Sequence, residues 1–588
     1  MRLINTKTGQ LEDFIGQEIP KYAILSHTWG EEEVSYQDYL RNVHKTKKGY
    51  RKIQKTCDIA AEAKIPYAWV DTLCIDKKSS AELSEAINSM YRWYEQSKVC
   101  YAFLSDLSGD ADLEDALGKC RWFKRGWTLQ ELIAPKFVTC LTILLVYDAR
   151  WNKRGVKTSL ASQLSTITKI NESVLRKESP LSHFCVAQKL SWAALRVTTR
   201  IEDSAYCLLG LLDLNMPLLY GEGEKAFRRL QDQIIQSSAD LSIFAWQWKS
   251  PEQQQASPKD QEEVRSAQSG LQDGSLCGVL ARSTTMFAHC SGYTRSQGGG
   301  PREFSVTNVG IKIRVRVLLR RLDGKSGMGY VLPLNCVYRG RALGLRLRQT
   351  GNNGYLRQDA FTLFEYEEGS LPTAPPSERN LLTTLPEDPS HPNAMMNRIK
   401  NVLPLTRTHI LRFIPQTTLL LNPWPVDRYD YEDQVFFGFR DPTRDFSIIE
   451  MLVPIQVPNT VLGTVESEWV RCKFCAIGWS STAPGVAQFG LFEEDKHAAS
   501  LYAIQPRISD WDRNSQQLVY YLNSYNIPKV AVVRYDFPKL GKTAHLAFSA
   551  KREEDRTMST NPFWTIRFSY SLWHSMAEPH IDQEVWSL

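Results

Sequence analysis

The chain has 588 residues, 43% of them hydrophobic and 23% charged, a balance that excludes collagen-like, low-complexity or wholly disordered chains. That length exceeds what one hydrophobic core organises, so about three or four domains are expected. A net charge of +6 over so long a chain is mild and gives no reason to invoke nucleic acid. Twelve cysteines scattered along the chain read as reduced thiols. The first ten residues lack the apolar core of a signal peptide. The longest apolar run, residues 138–147, is too short to span a bilayer. The expected location is therefore the cytoplasm, with no membrane span.

In chain order, Tyr22-Ala-Ile-Leu-Ser26 reads as a buried strand that breaks into His27-Thr-Trp-Gly30. Residues 41–55 are rich in Lys and Arg, but sparse in aromatics, and read as a solvated loop and helix face. Ile53, Cys57, Ala60, Ala61 and Lys64 follow helical spacing up to Pro66. A second strand, Tyr67-Ala-Trp-Val-Asp71, leads to Ser79-Ser-Ala-Glu82, which has the spacing of a capping box. Leu83, Ala86, Ile87, Met90, Tyr91 and Tyr94 then predict an amphipathic helix. Capping accounts for Glu82, whereas Glu85, one turn later, has no such explanation. The third strand, Val99-Cys-Tyr-Ala-Phe-Leu104, ends in Ser105-Asp106. In Arg121-Trp-Phe-Lys-Arg-Gly-Trp-Thr-Leu-Gln-Glu-Leu-Ile-Ala-Pro135, helical spacing puts Leu129, Leu132 and Ile133 on one face. Glu131 falls opposite them with Trp127 one turn back, so the acid is expected off the core face.

Alternating strands and helices imply an α/β domain with right-handed crossovers, a mainly parallel sheet and helices on both faces. Ligands of such sheets bind beyond the carboxyl ends of the strands. Ser26 with His27, Asp71, and Ser105 with Asp106 follow the three strands, and Glu131 starts the next helix, so four stretches bring polar groups to one edge. No Gly-x-Gly-x-x-Gly follows the first strand and there is no P-loop motif, so neither a Rossmann dinucleotide site nor a P-loop NTPase is supported. His27 has no second histidine at ligand spacing, and no metal site is expected. Adjacent Ser26 and His27 point to opposite faces of a strand and cannot form a triad.

Together, Tyr22-Ala-Ile-Leu-Ser-His-Thr-Trp-Gly30, Tyr67-Ala-Trp-Val-Asp-Thr-Leu-Cys-Ile-Asp76 and the segment from Arg121 to Leu132 resemble the three blocks of the fungal heterokaryon-incompatibility (HET) domain. The resemblance continues through Thr199-Arg-Ile-Glu-Asp-Ser-Ala-Tyr-Cys-Leu-Leu-Gly210 and Met216-Pro-Leu-Leu-Tyr-Gly-Glu-Gly-Glu-Lys-Ala-Phe227, a helical extension that many such proteins carry. The family is implicated in nonself recognition, in which fusion of incompatible cells triggers death, and is regarded as TIR-related. Gly126-Trp-Thr-Leu-Gln-Glu-Leu132 resembles the TIR segment whose glutamate is catalytic in NAD cleavage, a role that then falls on Glu131. NAD would be a substrate and no cofactor is implied. An oxocarbenium-like transition state suits a facing carboxylate. Trp29 or Trp127 is a candidate for stacking on a ring of the substrate, and Asp71 or Asp106 for holding hydroxyls, with Ser26, His27 and Glu85 as further binding candidates. Core packing accounts equally well for Trp69 and Trp122. The alternative is a non-catalytic module that signals by homotypic contacts, and self-association through the domain is expected in either case. One departure is that Thr139-Cys-Leu-Thr-Ile-Leu-Leu-Val146, which precedes Tyr147-Asp-Ala-Arg-Trp-Asn152, is several residues longer than the family pattern. It reads as a bulged strand or as codons retained by a gene-model error.

The resulting division is a TIR-like α/β domain over residues 1–155, a helical extension over 156–249, a linker over 250–275, and a β-rich region over 276–588 split near 369–392. Thr199 to Glu202 has capping-box spacing, and Gly221-Glu-Gly223 reads as a turn before a helix that buries Ala226, Phe227, Leu230, Ile234 and Ile235. Ile311-Lys-Ile-Arg-Val-Arg-Val317 and Leu343-Gly-Leu-Arg-Leu-Arg348 alternate with period two, predicting half-exposed strands with basic outer faces in an all-β, sandwich-like region. Cys472-Lys-Phe-Cys475 lacks a second pair at zinc spacing and fits alternating strand residues. The recognition partner of this region is not readable from its sequence.

Overall fold

A computed structural model describes residues 1–16, 19–135, 143–248 and 275–296, and from residue 303 a series of mostly β segments that ends at Trp573. The N-terminal part is built on a seven-stranded sheet. Its strands are β1 (Arg2–Asn5), β2 (Leu11–Asp13), β3 (Tyr22–His27), β4 (Tyr67–Trp69), β5 (Val99–Phe103), β6 (Ile143–Tyr147) and β7 (Lys153–Val156). They lie in the order β2-β1-β4-β3-β5-β6-β7. The central four are parallel, with Ala23 opposite both Ala68 and Val99, and Val99 opposite Ile143. Every residue of β3 and of β5 is buried, as continuous apolar strands covered on both faces must be. The edges are antiparallel: β1 pairs with β4 and β2, and β7 with β6. The β1–β2 hairpin was not anticipated, because its few apolar residues are too short a run to carry a periodic signal.

The crossovers are helical. Between β3 and β4 lie α1 (Tyr36–Leu40) and α2 (Tyr50–Glu62), and between β4 and β5 lie α3 (Asp71–Cys74) and α4 (Ser80–Gln96). Between β5 and β6 lie α5 (Leu113–Ala116), a 3-10 turn at Arg121–Lys124 and α6 (Thr128–Ile133). The sea of apolar side chains on α4 is the expected one, with Ala86, Ile87, Met90 and Tyr94 buried together with Trp93. Its cap is half of the predicted box: Ser79 Oγ accepts from Glu82 N, while the Glu82 carboxylate binds Asp76 N and Arg2 instead. The chain passes from β3 to β4 on one side and then to β5 on the other. The winding therefore reverses at β3, where open α/β sheets leave a crevice at the strand ends.

Five departures from the sequence reading have physical causes. All six residues of α6 are buried, so this helix has no solvent face and Glu131 does not sit off the core. Of Thr139–Val146, the stretch read as too long, residues 139–142 lie outside the described residues, and Ile143–Tyr147 pairs in regular register with β5. Glu202 does not close a box with Thr199; it accepts from Gly221 N at 2.7 Å and Gly223 N at 3.1 Å. Both glycines have positive φ, 102° and 60°, which turns their amides toward one point. Alternation holds over Ile311 to Val315, but in the strand Arg341–Gly351 both faces are covered, and Arg348 is buried rather than exposed. Lys52, in the stretch read as solvated, points inward to His27 and Glu33.

The extension comprises α7 (Ala161–Thr168), α8 (Glu172–Leu175), α9 (Val186–Ser191), α10 (Asp203–Tyr206), α11 (Leu209–Leu212) and α12 (Lys225–Ser237). The five apolar residues expected inside α12 are buried, joined by Gln231, whose amide bonds both ways with Ala281. Trp246 Nε1 donates to Val279 O at 2.7 Å, and one continuous core runs from Leu3 to Leu381. The later region is β-rich: among the described residues it forms an eleven-stranded sheet, followed by a six-stranded and a four-stranded sheet. Cys472 and Cys475 lie on one strand, Thr464–Ile477. The predicted linker over 250–275 lies almost wholly outside the described residues. No described helix is long and apolar enough to cross a membrane.

Candidate functional site

The carboxyl ends of β3, β4 and β5 converge as the sheet order requires. Alternation along β3 sends Ser26 and His27 in opposite directions, and each finds an acid. Ser26 Oγ, fully buried, donates to Glu131 Oε2 at 2.5 Å and accepts from Trp122 Nε1 at 2.8 Å. The Tyr94 hydroxyl, which donates to Leu25 O at 3.1 Å, also lies against the Glu131 carboxyl. Glu131 is only 7% exposed. Burial pushes its pKa up to about 8, the Ser26 hydrogen bond and Arg125 oppose that rise, and the negative charge of Asp71 reinforces it. The result is a carboxyl poised to exchange a proton near neutral pH.

On the other side of β3, His27 Nε2 lies 2.9 Å from Asp71 Oδ1, and Lys52 Nζ lies 2.9 Å from His27 Nδ1. An ammonium can only donate, so Nδ1 accepts, and the ring hydrogen sits on Nε2, directed at Asp71. Lys52 also pairs with Glu33. The second oxygen of Asp71 accepts from Trp29 Nε1 at 2.8 Å. Burial alone would raise the Asp71 pKa, but His27, Lys77 and Trp29 together hold it well below the usual carboxylate range. The two acids at these strand ends are thus driven apart, one toward the neutral form and one firmly ionised, the usual signature of divided labour between carboxyls.

Trp29 stands just beyond the end of β3, 43% exposed, with Lys77 Nζ 3.5 Å from its ring centroid and the Arg125 guanidinium 5.5 Å away. Burial lowers the Lys77 pKa against the pull of Asp71 and Glu33. Thr28 Oγ1 faces Ser105 Oγ at 3.4 Å, linking the ends of β3 and β5. At the carbonyl end of α6, Lys157 Nζ donates to Leu132 O at 3.1 Å and Pro135 O at 2.8 Å, with its pKa pushed down to about 7 by burial.

Of the residues singled out from the sequence, Ser26, His27, Trp29, Asp71 and Glu131 come together. Three do not join them. Asp106 accepts from Arg121 N at 2.8 Å and holds the turn before α6. Trp127 is half-buried, and its indole is bonded to Asp203 of the extension. Glu85 is exposed on α4. Trp122, Tyr94, Lys52, Lys77, Arg125 and Arg196 were missed. Tyr94 and Trp122 read as core because their rings are core, and only a buried hydroxyl or indole N–H, which needs a partner, signals a second role. Among the described residues, no group of three or more His, Cys, Asp or Glu is placed to hold a metal ion.

Residues 22–117 match the family described as Heterokaryon incompatibility protein (HET). Residues 225–317 match a domain of unknown function, DUF8212. The vegetative incompatibility protein HET-E-1 of Podospora anserina is 42% identical over 284 residues, covering 46% of this chain and 20% of that protein. The chain thus spans about a fifth of the length of this curated relative. No solved structure matches.

Proposed function

Because the chain carries a heterokaryon-incompatibility domain, we propose that it acts in fungal nonself recognition, as an effector of cell death that cleaves NAD at the nicotinamide–ribose bond. The observation that carries this reading is Glu131, a buried carboxyl hydrogen-bonded to Ser26 at the point where the sheet winding reverses. NAD brings a cationic nicotinamide ring, and as the bond breaks that positive charge passes to the ribose while the ring leaves as neutral nicotinamide. A carboxyl in a dry site is ionised by an arriving cation, since opposite charge lowers an acid's pKa, and it then stabilises that charge as the leaving group departs. Ser26 fixes the carboxyl, Asp71 remains ionised to accept ribose hydroxyls, and Trp29 with Lys77 and Arg125 offers an aromatic surface and cations beyond the end of β3 for a base and phosphates. The chain's TIR-like segment around Glu131 supports the same assignment.

The test is release of nicotinamide from NAD by the purified full chain, concentrated or crosslinked so that assembly does not limit it. Turnover lost in Glu131→Gln is expected; equal turnover by the two proteins removes Glu131 from the mechanism.

A second reading, a non-catalytic module that signals by self-association, is favoured by Leu195 and Val197, which are 68% and 66% exposed beside the same site. It predicts toxicity on overexpression that survives Glu131→Gln and disappears in Leu195→Asp with Val197→Asp.

A further inference from the structure

The segment that carries Glu131 is held from outside the sheet domain. Val197 of the extension forms a parallel bridge with Arg125: Gly126 N donates to Val197 O at 2.9 Å, and Val197 N to Lys124 O at 2.6 Å. Beside this bridge Arg196 reaches inward. Its Nη1 donates to Arg125 O and to Thr128 Oγ1, both at 2.9 Å, and its Nε to Trp192 O at 3.3 Å. Thr128 Oγ1 in turn donates to Trp122 O at 2.5 Å and lies 2.9 Å from Arg125 O. The indole of Trp122 donates to Ser26 Oγ, and Ser26 donates to Glu131. Donor and acceptor alternate without conflict along the whole path.

We propose that Arg196 is a positioning residue of the Glu131 site. The 192–203 strap of the helical extension, through Thr128 and Trp122, sets the place of Ser26 and hence the orientation and ionisation of Glu131. Three independent ties support this. The bridge fixes the backbone of Lys124 to Gly126, the guanidinium fixes the start of α6, and the indole of Trp127 is bonded to Asp203. A Cβ at Gly126 would stand 2.5 Å from Thr198 Cγ2, so the two segments meet with no slack. Arg196 Nη2 is buried and unpartnered, which leaves its charge weakly compensated. Its field favours ionisation of Glu131, while desolvation lowers its own pKa to about 10. A guanidinium is needed because one planar head must reach a carbonyl and a hydroxyl at once, which an ammonium on a freely rotating stem does less well.

The inference rests on the reading of Glu131 as the working carboxyl only for its effect on rate; the coupling itself is read without NAD. The full chain is compared with Arg196→Gln, Arg196→Lys and Thr128→Val, the last cutting the path from inside the domain while keeping its volume. Hydrogen exchange over residues 121–133 is expected to rise about tenfold in Arg196→Gln and Thr128→Val, with exchange at Tyr22–His27 unchanged and Arg196→Lys intermediate. In protein labelled with fluorotryptophan, the Trp122 resonance follows protonation of Glu131 with a midpoint near about 8. That titration is absent in Glu131→Gln and moves to higher pH in Arg196→Gln. Exchange that is unchanged, or raised equally everywhere, overturns the proposal, as does a midpoint that Arg196→Gln leaves in place. A protein inert toward NAD that shows both responses keeps the coupling and loses only the assigned reaction.

Discussion

Ser26 and Glu131, 105 positions apart, share a 2.5 Å hydrogen bond that joins the end of β3 to α6. The only proton of the serine hydroxyl is committed to this bond and its oxygen accepts from the Trp122 indole, so the hydroxyl serves to hold the acid. Glu131→Gln is therefore expected to abolish nicotinamide release, and to change stability by no more than about 1 kcal/mol below pH 4.5, where the carboxyl is neutral in the folded and unfolded chain alike. Turnover and thermal melting measured side by side check both halves.

Ionisation of Glu131 should also be visible in stability. Its pKa rises from 4.5 in the unfolded chain to about 8 in the fold, so between those values the folded form binds more protons than the unfolded one. The contribution is fully present below about pH 4.5 and is lost as pH rises through about 8. Relative to Glu131→Gln, the wild type should lose stability over that window, by a few kcal/mol in order of magnitude. Denaturant midpoints of both proteins across the range measure the difference.

Asp71 gathers three elements, taking hydrogen bonds from His27 on β3 and from Trp29 beyond it while sitting at the start of α3. Asp71→Asn keeps the shape, but its amide N–H₂ would face one of two donors. A loss of about 2 kcal/mol is expected, together with greater mobility of Trp29. Chemical denaturation and quenching of Trp fluorescence by iodide report the two effects.

Gly210 is required for a different reason. A Cβ there would lie 2.0 Å from Tyr91 Cβ, so α11 and α4 approach as closely as backbone permits. Gly210→Ala must part the two helices, at a cost of about 3 kcal/mol or more, seen as a lowered melting temperature without loss of helical circular dichroism.

The strands β3, β4 and β5 and the helices α4 and α12 were legible because each buries one long apolar pattern that the sequence displays locally. What α6 would do was not. Leu129, Leu132 and Ile133 mark one buried face correctly, but the face bearing Glu131 is covered by Ser26, Trp122 and Tyr94, and Gln130 is buried beside it. Those partners arrive from up to 105 positions away, and no periodicity within six residues encodes them. Arg348 was misjudged for the same reason. Alternation identifies two faces of a strand, but only the tertiary arrangement decides whether the second face meets water, and Arg348 is 2% exposed. That Asp71 meets the end of β3, by contrast, was legible, because strand order predicts which loop ends lie side by side.

The carboxylate of Glu202 closes the turn at Gly221 and Gly223, just ahead of α12, and Asp203 next to it bonds both the Tyr220 hydroxyl and the Trp127 indole. Glu202 thus holds the root of the long helix, and Asp203 joins that same root, through Tyr220, to Trp127 at the start of α6. Because Gln231 of α12 is also bonded to Ala281, an unbroken run of bonded contacts connects α6, α10, α12 and the first residues of the β-rich region.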